Sequence, residues 1–106
     1  MDDIELRGTG RELRNAANDI AKHRMLSAKN RVSFQMILAS KESELRQRKA
    51  NAGIDTMILM LLGEGDERTN DYYRKWQYHE NKYKGLEHIE NSIKEDIHIE
   101  KFLGKV

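Results

Sequence analysis

Residues 72–83 read Tyr-Tyr-Arg-Lys-Trp-Gln-Tyr-His-Glu-Asn-Lys-Tyr and hold the only Trp and all four Tyr of the chain, interleaved with basic side chains. Two objects look like this: a platform on which nucleic-acid bases stack, or the aromatic seam of a helix packed on another helix. Spacing separates them. At about 100° per residue, Tyr72, Trp76, His79, Tyr83, Leu86, Glu90, Ile93 and Ile97 all fall within roughly 60° of one direction, in alternating steps of four and three. That is a heptad seam, placed for burial, and only Tyr73 and Tyr78 lie off it, on opposite sides. Asp71, Glu80, Glu87 and Glu90 stand in the same neighbourhood and would repel phosphates. The stretch predicts an amphipathic helix.

The charges beside the seam carry a second expectation. Lys75 and Lys82 flank one side and Glu80 and Glu87 the other. In a parallel pair of identical helices these flanks attract, and in an antiparallel pair like charges meet. Exposed pairs of this kind contribute only a few tenths of a kcal/mol, so they select partners without holding a structure together. The seam therefore points to a homo-oligomer, a dimer first, with packing on the first helix of the same chain as the other arrangement.

Composition supports the helical reading. The chain has 106 residues, room for one helical domain over residues 1–106. It has no Pro and is rich in Glu, Lys, Arg, Leu, Ala and Met, the composition of long helices. Hydrophobic residues make up 38% and charged residues 35%, so a compact globule would be short of core and the fold is expected to lean on helix-on-helix packing, shared between chains. The expected class is all-α and coiled-coil-like: a long N-terminal helix, a short hydrophobic helix and a C-terminal amphipathic helix. With zero Cys there is no disulfide framework, which fits a cytoplasmic protein. MDDIELRGTG is acidic and lacks the apolar stretch of a secretory signal, and the longest apolar run, Met57–Leu62, is too short to span a membrane. No membrane association is expected. Net charge is +1, divided as +4 over residues 1–50 (11 basic, 7 acidic) and −3 over residues 51–106 (8 basic, 11 acidic). A basic front and an acidic back favour helix-to-helix complementarity.

Thr9-Gly10-Arg11-Glu12 reads as a capping box, so the first helix is expected to start near residue 10 and to run to about Ala50, with Gly53 supplying a left-handed residue at its end. One stripe of this helix carries Ala17, Ala21, Met25, Ala28, Val32, Met36 and Ala39, and a second carries Leu26, Phe34, Ile37, Leu38 and Leu45. Around Val32 to Ala39 the helix is apolar nearly all round, which predicts cover from more than one neighbour. Asp55 reads as the N-cap of a short helix through Met57–Leu62, which folds back as the plug of the core and ends at the Gly63-Glu64-Gly65 hinge. A third helix is expected from Asp66–Thr69 to about Lys94. Asp3–Arg7 and Asp96–Glu100 alternate polar and apolar residues, which suits docked tails or a short strand pair; residues 1–8 and 96–106 are read as flexible or docked termini.

The candidate interface is Val32, Met36, Tyr72, Trp76, His79, Tyr83, Leu86 and Ile93. His79 on the seam is a polar residue that fixes register or makes assembly sensitive to pH, against the plainer reading of a histidine hydrogen-bonded within the interface. Between Asp19 and Glu42 there is no acid, while Lys22, Arg24, Lys29, Arg31 and Lys41 all occur. Lys22, Arg24, Lys29 and Arg31 are the candidate contacts for nucleic acid or another anion, although only Lys22 and Lys29 share a face. The alternatives are a solvated rim and a site for an acidic protein surface. None of His23, His79, His88 and His98 has the one-turn spacing of a helical zinc pair, so no metal is expected. No nucleophile–base pair, paired carboxylates or phosphate loop appears, and neither an enzyme nor a cofactor is expected. The expectation is a small helical homo-oligomer acting through protein–protein interaction as an adaptor, inhibitor or assembly factor, with a nucleic-acid-binding dimer as the alternative. Small size and a helix-hinge-helix layout are shared with secretion and phage accessory proteins, so a viral origin is entertained, with no motif behind it.

Overall fold

A computed structural model describes the backbone of residues 2–104 and the side chains of residues 10–98, 101, 103 and 104. The fold is all-α. Helix α1 runs Asp2–Arg48, α2 Ile54–Gly63 and α3 Glu67–Leu103, and the described residues contain no strand.

Both long helices exceed their expected bounds. Helix α1 starts at Asp2 and not near residue 10, and α3 runs past Lys94 to Leu103, so neither alternating segment is a strand. Five alternating residues are a weak strand signal. Ile93 and Ile97, one turn apart, prolong the helical period of α3. The side chain of Thr9, and with it the expected capping box, lies outside the described residues.

The turns differ from expectation in their chemistry. Gly53 is not left-handed: its φ of −75° and ψ of 174° are extended, and it is itself the N-cap of α2. Asp55, expected there, sits inside the first turn, where its charge favours the helix N-terminus through the dipole. The left-handed residue is Gly65, with φ 77°, the only positive φ among the described residues. Its amide donates to the Leu62 carbonyl and that of Glu64 to the Leu61 carbonyl, closing α2. Asp66 then caps α3. Its carboxylate accepts the Thr69 hydroxyl at 2.7 Å, and that bond first, helped by the Arg68 and Thr69 amides, holds the carboxyl below its ordinary range.

The chain forms two compact units: Met1–Met25 with His79–Val106, and Leu26–Tyr78. The second has the denser interior. Phe34, Leu45, Ala52, Met57 and Leu61 form its buried cluster, against which Ile37, Leu38, Ile58, Tyr72, Tyr73 and Trp76 pack. Met57 and Leu61, one turn apart, are the inward edge of α2, which acts as the plug its hydrophobicity predicts. Phe34 lies 5.2 Å from the Tyr73 ring and 5.9 Å from that of Trp76. Glu64 ties the hinge to α1 by accepting from Lys41 at 3.1 Å and from Arg48. These bonds, Lys41 first, pull the Glu64 carboxyl below its usual value, and the same contact raises Lys41.

The first unit is thinner. Ala16 and Ile20 are its buried side chains on α1, and Leu86, Ile93 and Ile97 of α3 are half-buried. Arg24 pairs with Glu87, and its guanidinium lies 5.5 Å from the centre of the Tyr83 ring.

Candidate interaction surface

The line that α3 turns inward is the one its spacing predicts. Tyr72, Trp76, His79, Tyr83, Leu86, Glu90, Ile93 and Ile97 are all half-buried, whereas Arg74, Lys75, Tyr78, Lys82 and Lys84 are exposed. Its neighbours are within the same chain. Tyr72 and Trp76 pack on the Phe34 cluster, His79 meets His23, and Tyr83 meets Arg24. Tyr73, off the seam, is also taken into the aromatic cluster with Phe34 and Trp76. Apart from the exposed Tyr78, the aromatic residues of 72–83 therefore present no open stack of rings.

Helix α1 is organised differently from its apolar pattern. The residues it buries or half-buries include a line of Leu13, Ala16, Ile20, His23, Ser27, Asn30, Phe34, Ile37, Lys41 and Leu45, in steps of three and four. This is a heptad line with a polar middle. Ser27 is 5% exposed and Asn30 9%, the latter donating to the Leu26 carbonyl at 2.8 Å. Apolar spacing finds its second half, through Phe34, Ile37 and Leu45, and passes over its middle, where the positions are His, Ser and Asn.

The apolar stripe expected to receive another helix faces out. In the second unit Val32 is 49% exposed and Met36 68%, with Ala39 exposed and Ala28 half-buried on the same line. Ala17, Ala21 and Met25 of the first unit are exposed as well. The expected cover from several sides is thus present on one side only, where Phe34, Ile37 and Leu38 point. Helix α2 also exposes apolar side chains: Leu59, 71% exposed on the side away from Met57 and Leu61 and one turn from the exposed Asp55, and Ile54, 66% exposed as the first residue of the helix.

All four candidate basic contacts are exposed, but they do not act alike. Arg24 is engaged by Glu87 and the Tyr83 ring. Lys22 and Lys29 share a face, and Arg31 projects about 200° round the helix from Lys29. Lys41, in the same acid-free segment, belongs to the Glu64 contact.

An open groove of about 410 Å³ in the first unit is lined by Ile20, Ala21, Arg24, Glu87 and Glu90 among others; the Arg24–Glu87 pair sits on its wall. Among the described residues no group of three or more His, Asp or Glu is placed to hold a metal ion, and no helix is long and apolar enough to cross a membrane. No protein-family model, no curated protein and no solved structure matches this chain.

Proposed function

We propose that the protein is a protein-binding module that pairs with a second copy of itself, an adaptor or assembly factor without catalytic chemistry, and that the pairing surface lies on the Leu26–Tyr78 unit. The observation that carries this is a second apolar line on α1: Phe34, Ile37 and Leu45 face the core, while Val32 and Met36 face out, 49% and 68% exposed. A helix of a lone soluble chain turns its apolar stripe to the core and its polar face to water. Apolar side chains gathered on an outer face mark a surface that another molecule covers.

The second copy is the occupant that charge favours. Around the outer line of α1, from residue 20 to 41, there is no acid and five Lys or Arg. From Ile54 to Glu67 there is no base and the acids are Asp55, Glu64, Asp66 and Glu67. Val32 and Met36 flanked by Lys29 on one copy complement Leu59 flanked by Asp55 on the other, and a two-fold axis makes that contact twice. A net charge of +1 offers little repulsion between copies. In this arrangement α3 spends its seam within the chain, and the interface moves from Tyr72–Ile93 to Val32 and Met36.

Sedimentation equilibrium over a range of concentrations tests the reading. A mass of twice the 12.4 kDa of one chain supports it, and 12.4 kDa throughout would reject it. Recording absorbance for bound nucleic acid in the same cells tests the alternative use of Lys22, Lys29 and Arg31.

A further inference from the structure

Unit Met1–Met25 with His79–Val106 contains all four histidines of the chain, and two of them meet. The Nδ1 atoms of His23 and His79 are 2.9 Å apart, the ring centres are 5.1 Å apart and the planes are inclined by 30°. The centre separation exceeds the nitrogen separation by close to two ring radii. Both nitrogens therefore lie near the line joining the centres, and the rings meet edge to edge, each nitrogen directed at the other.

That geometry admits one proton between the rings. A neutral pair satisfies it when one ring carries its hydrogen on Nδ1 and the other offers a lone pair there. A pair with one positive charge also satisfies it, the cation donating to the neutral ring in a stronger, charge-assisted bond. A pair with two positive charges cannot, because both nitrogens are then donors. A metal ion does not fit the same line: bonds of about 2.0–2.1 Å to each nitrogen need more room than 2.9 Å allows between directly opposed lone pairs.

We infer that His23 and His79 form a proton-counting latch between α1 and α3 that closes the histidine-bearing unit at neutral pH and opens it when both rings are protonated. The sign follows from proton binding. The open unit accepts one proton more than the closed one at low pH, so closure is favoured as pH rises and lost as it falls through the histidine range. The charged neighbours on α1 are Asp19, Lys22 and Arg24, and on α3 Lys75, Glu80, Lys82 and Glu87. Arg24 is held by Glu87, Glu80 by Lys84 and Lys75 by Asp71. The Leu26–Tyr78 unit contains no histidine and has no such response.

The test is backbone amide exchange of the full chain between pH 7.5 and 5.5, corrected for the intrinsic rate. In the wild type, exchange in the α1 and α3 segments of the histidine-bearing unit rises toward about tenfold per pH unit at the acid end, and Leu26–Tyr78 stays flat. His79→Gln and His23→Gln abolish the rise, whereas His88→Gln leaves it. A flat wild-type profile, or an equal rise in the Gln variants, would overturn the latch. Nitrogen NMR of the wild type at pH 7.5 gives a reading independent of any variant's folding: one of the two rings carries its hydrogen on Nδ1. Finding both with hydrogen on Nε2 alone would also overturn it.

Discussion

Ser27 and Met36 stand nine residues apart on α1, half a turn round the helix from each other, and the serine is 5% exposed while the methionine is 68% exposed. Burying a hydroxyl costs free energy unless it is hydrogen-bonded, and leaving a methionine in water forgoes the gain from its burial. One helix carrying both arrangements is poorly used by a single chain. It is well used if a second molecule covers the outer line.

Phe34 is the side chain on which the Leu26–Tyr78 unit closes: it is fully buried and touches the rings of Tyr73 and Trp76. Phe34→Ala is expected to cost about 3–5 kcal/mol, a large share of the stability of a small domain. Denaturant unfolding followed by the fluorescence of Trp76, the only Trp, reads the change.

Two glycines give opposite signs under the same substitution. Gly65 has φ 77°, so Gly65→Ala places a Cβ in the left-handed region and should destabilise by about 1–2 kcal/mol. Gly85 is exposed within α3 and a Cβ there meets nothing within 4 Å. Gly85→Ala should stabilise by about 0.5–1 kcal/mol. Thermal unfolding of the two variants beside the wild type checks both, and equal signs would contradict the assigned backbone.

The α2–α3 hinge should respond to acid through Glu64 and Asp66. Both carboxyls lie below their ordinary values in the folded chain, Glu64 through Lys41 and Arg48 and Asp66 through Thr69. A depressed folded value means the stabilisation is present above the ordinary carboxylate range and is lost as pH falls through the folded values. Stability measured from pH 6 down to 3 should decline, and Glu64→Gln should be less stable at pH 6 with a shallower decline. Asp66→Ala removes the cap and is expected to lower stability at neutral pH.

The basic residues give a prediction on nucleic acid. With Arg24 paired to Glu87, a duplex would meet Lys22, Lys29 and Arg31, which do not share one face. A labelled duplex at low salt should show no shift that replacing Lys22, Arg24, Lys29 and Arg31 by Glu abolishes.

Much of this architecture was legible, and the illegible part has a physical cause. The seam of α3 could be read because its inward residues are large, apolar or aromatic and keep heptad spacing from Tyr72 to Ile97. Helix α2 could be read as a plug because nearly every residue from Met57 to Leu62 is apolar. The inward face of α1 could be read only in its second half, where the stripe of Leu26, Phe34, Ile37, Leu38 and Leu45 turns in; His23, Ser27 and Asn30 occupy its middle while Met25, Val32 and Met36 point away, so there hydrophobicity indicates the outer side. The turns misled for a similar reason: Gly53 and Gly65 are the same residue in the sequence, and only the path of the chain decides which one needs a positive φ. The His23–His79 contact joins positions 56 apart, a pairing that neither local spacing nor composition records.

The most direct test of the central claim is the solution mass of two variants beside the wild type, with helicity measured on the same samples. Met36→Glu should remain helical and fall from the mass of two chains to that of one, because it places a charge in the outer line that the proposed second copy covers. Trp76→Glu should lose structure, because Trp76 packs on the core of its own chain. A Met36→Glu protein that keeps the dimer mass, beside a Trp76→Glu protein that is a folded monomer, would contradict the account and return the interface to the α3 seam.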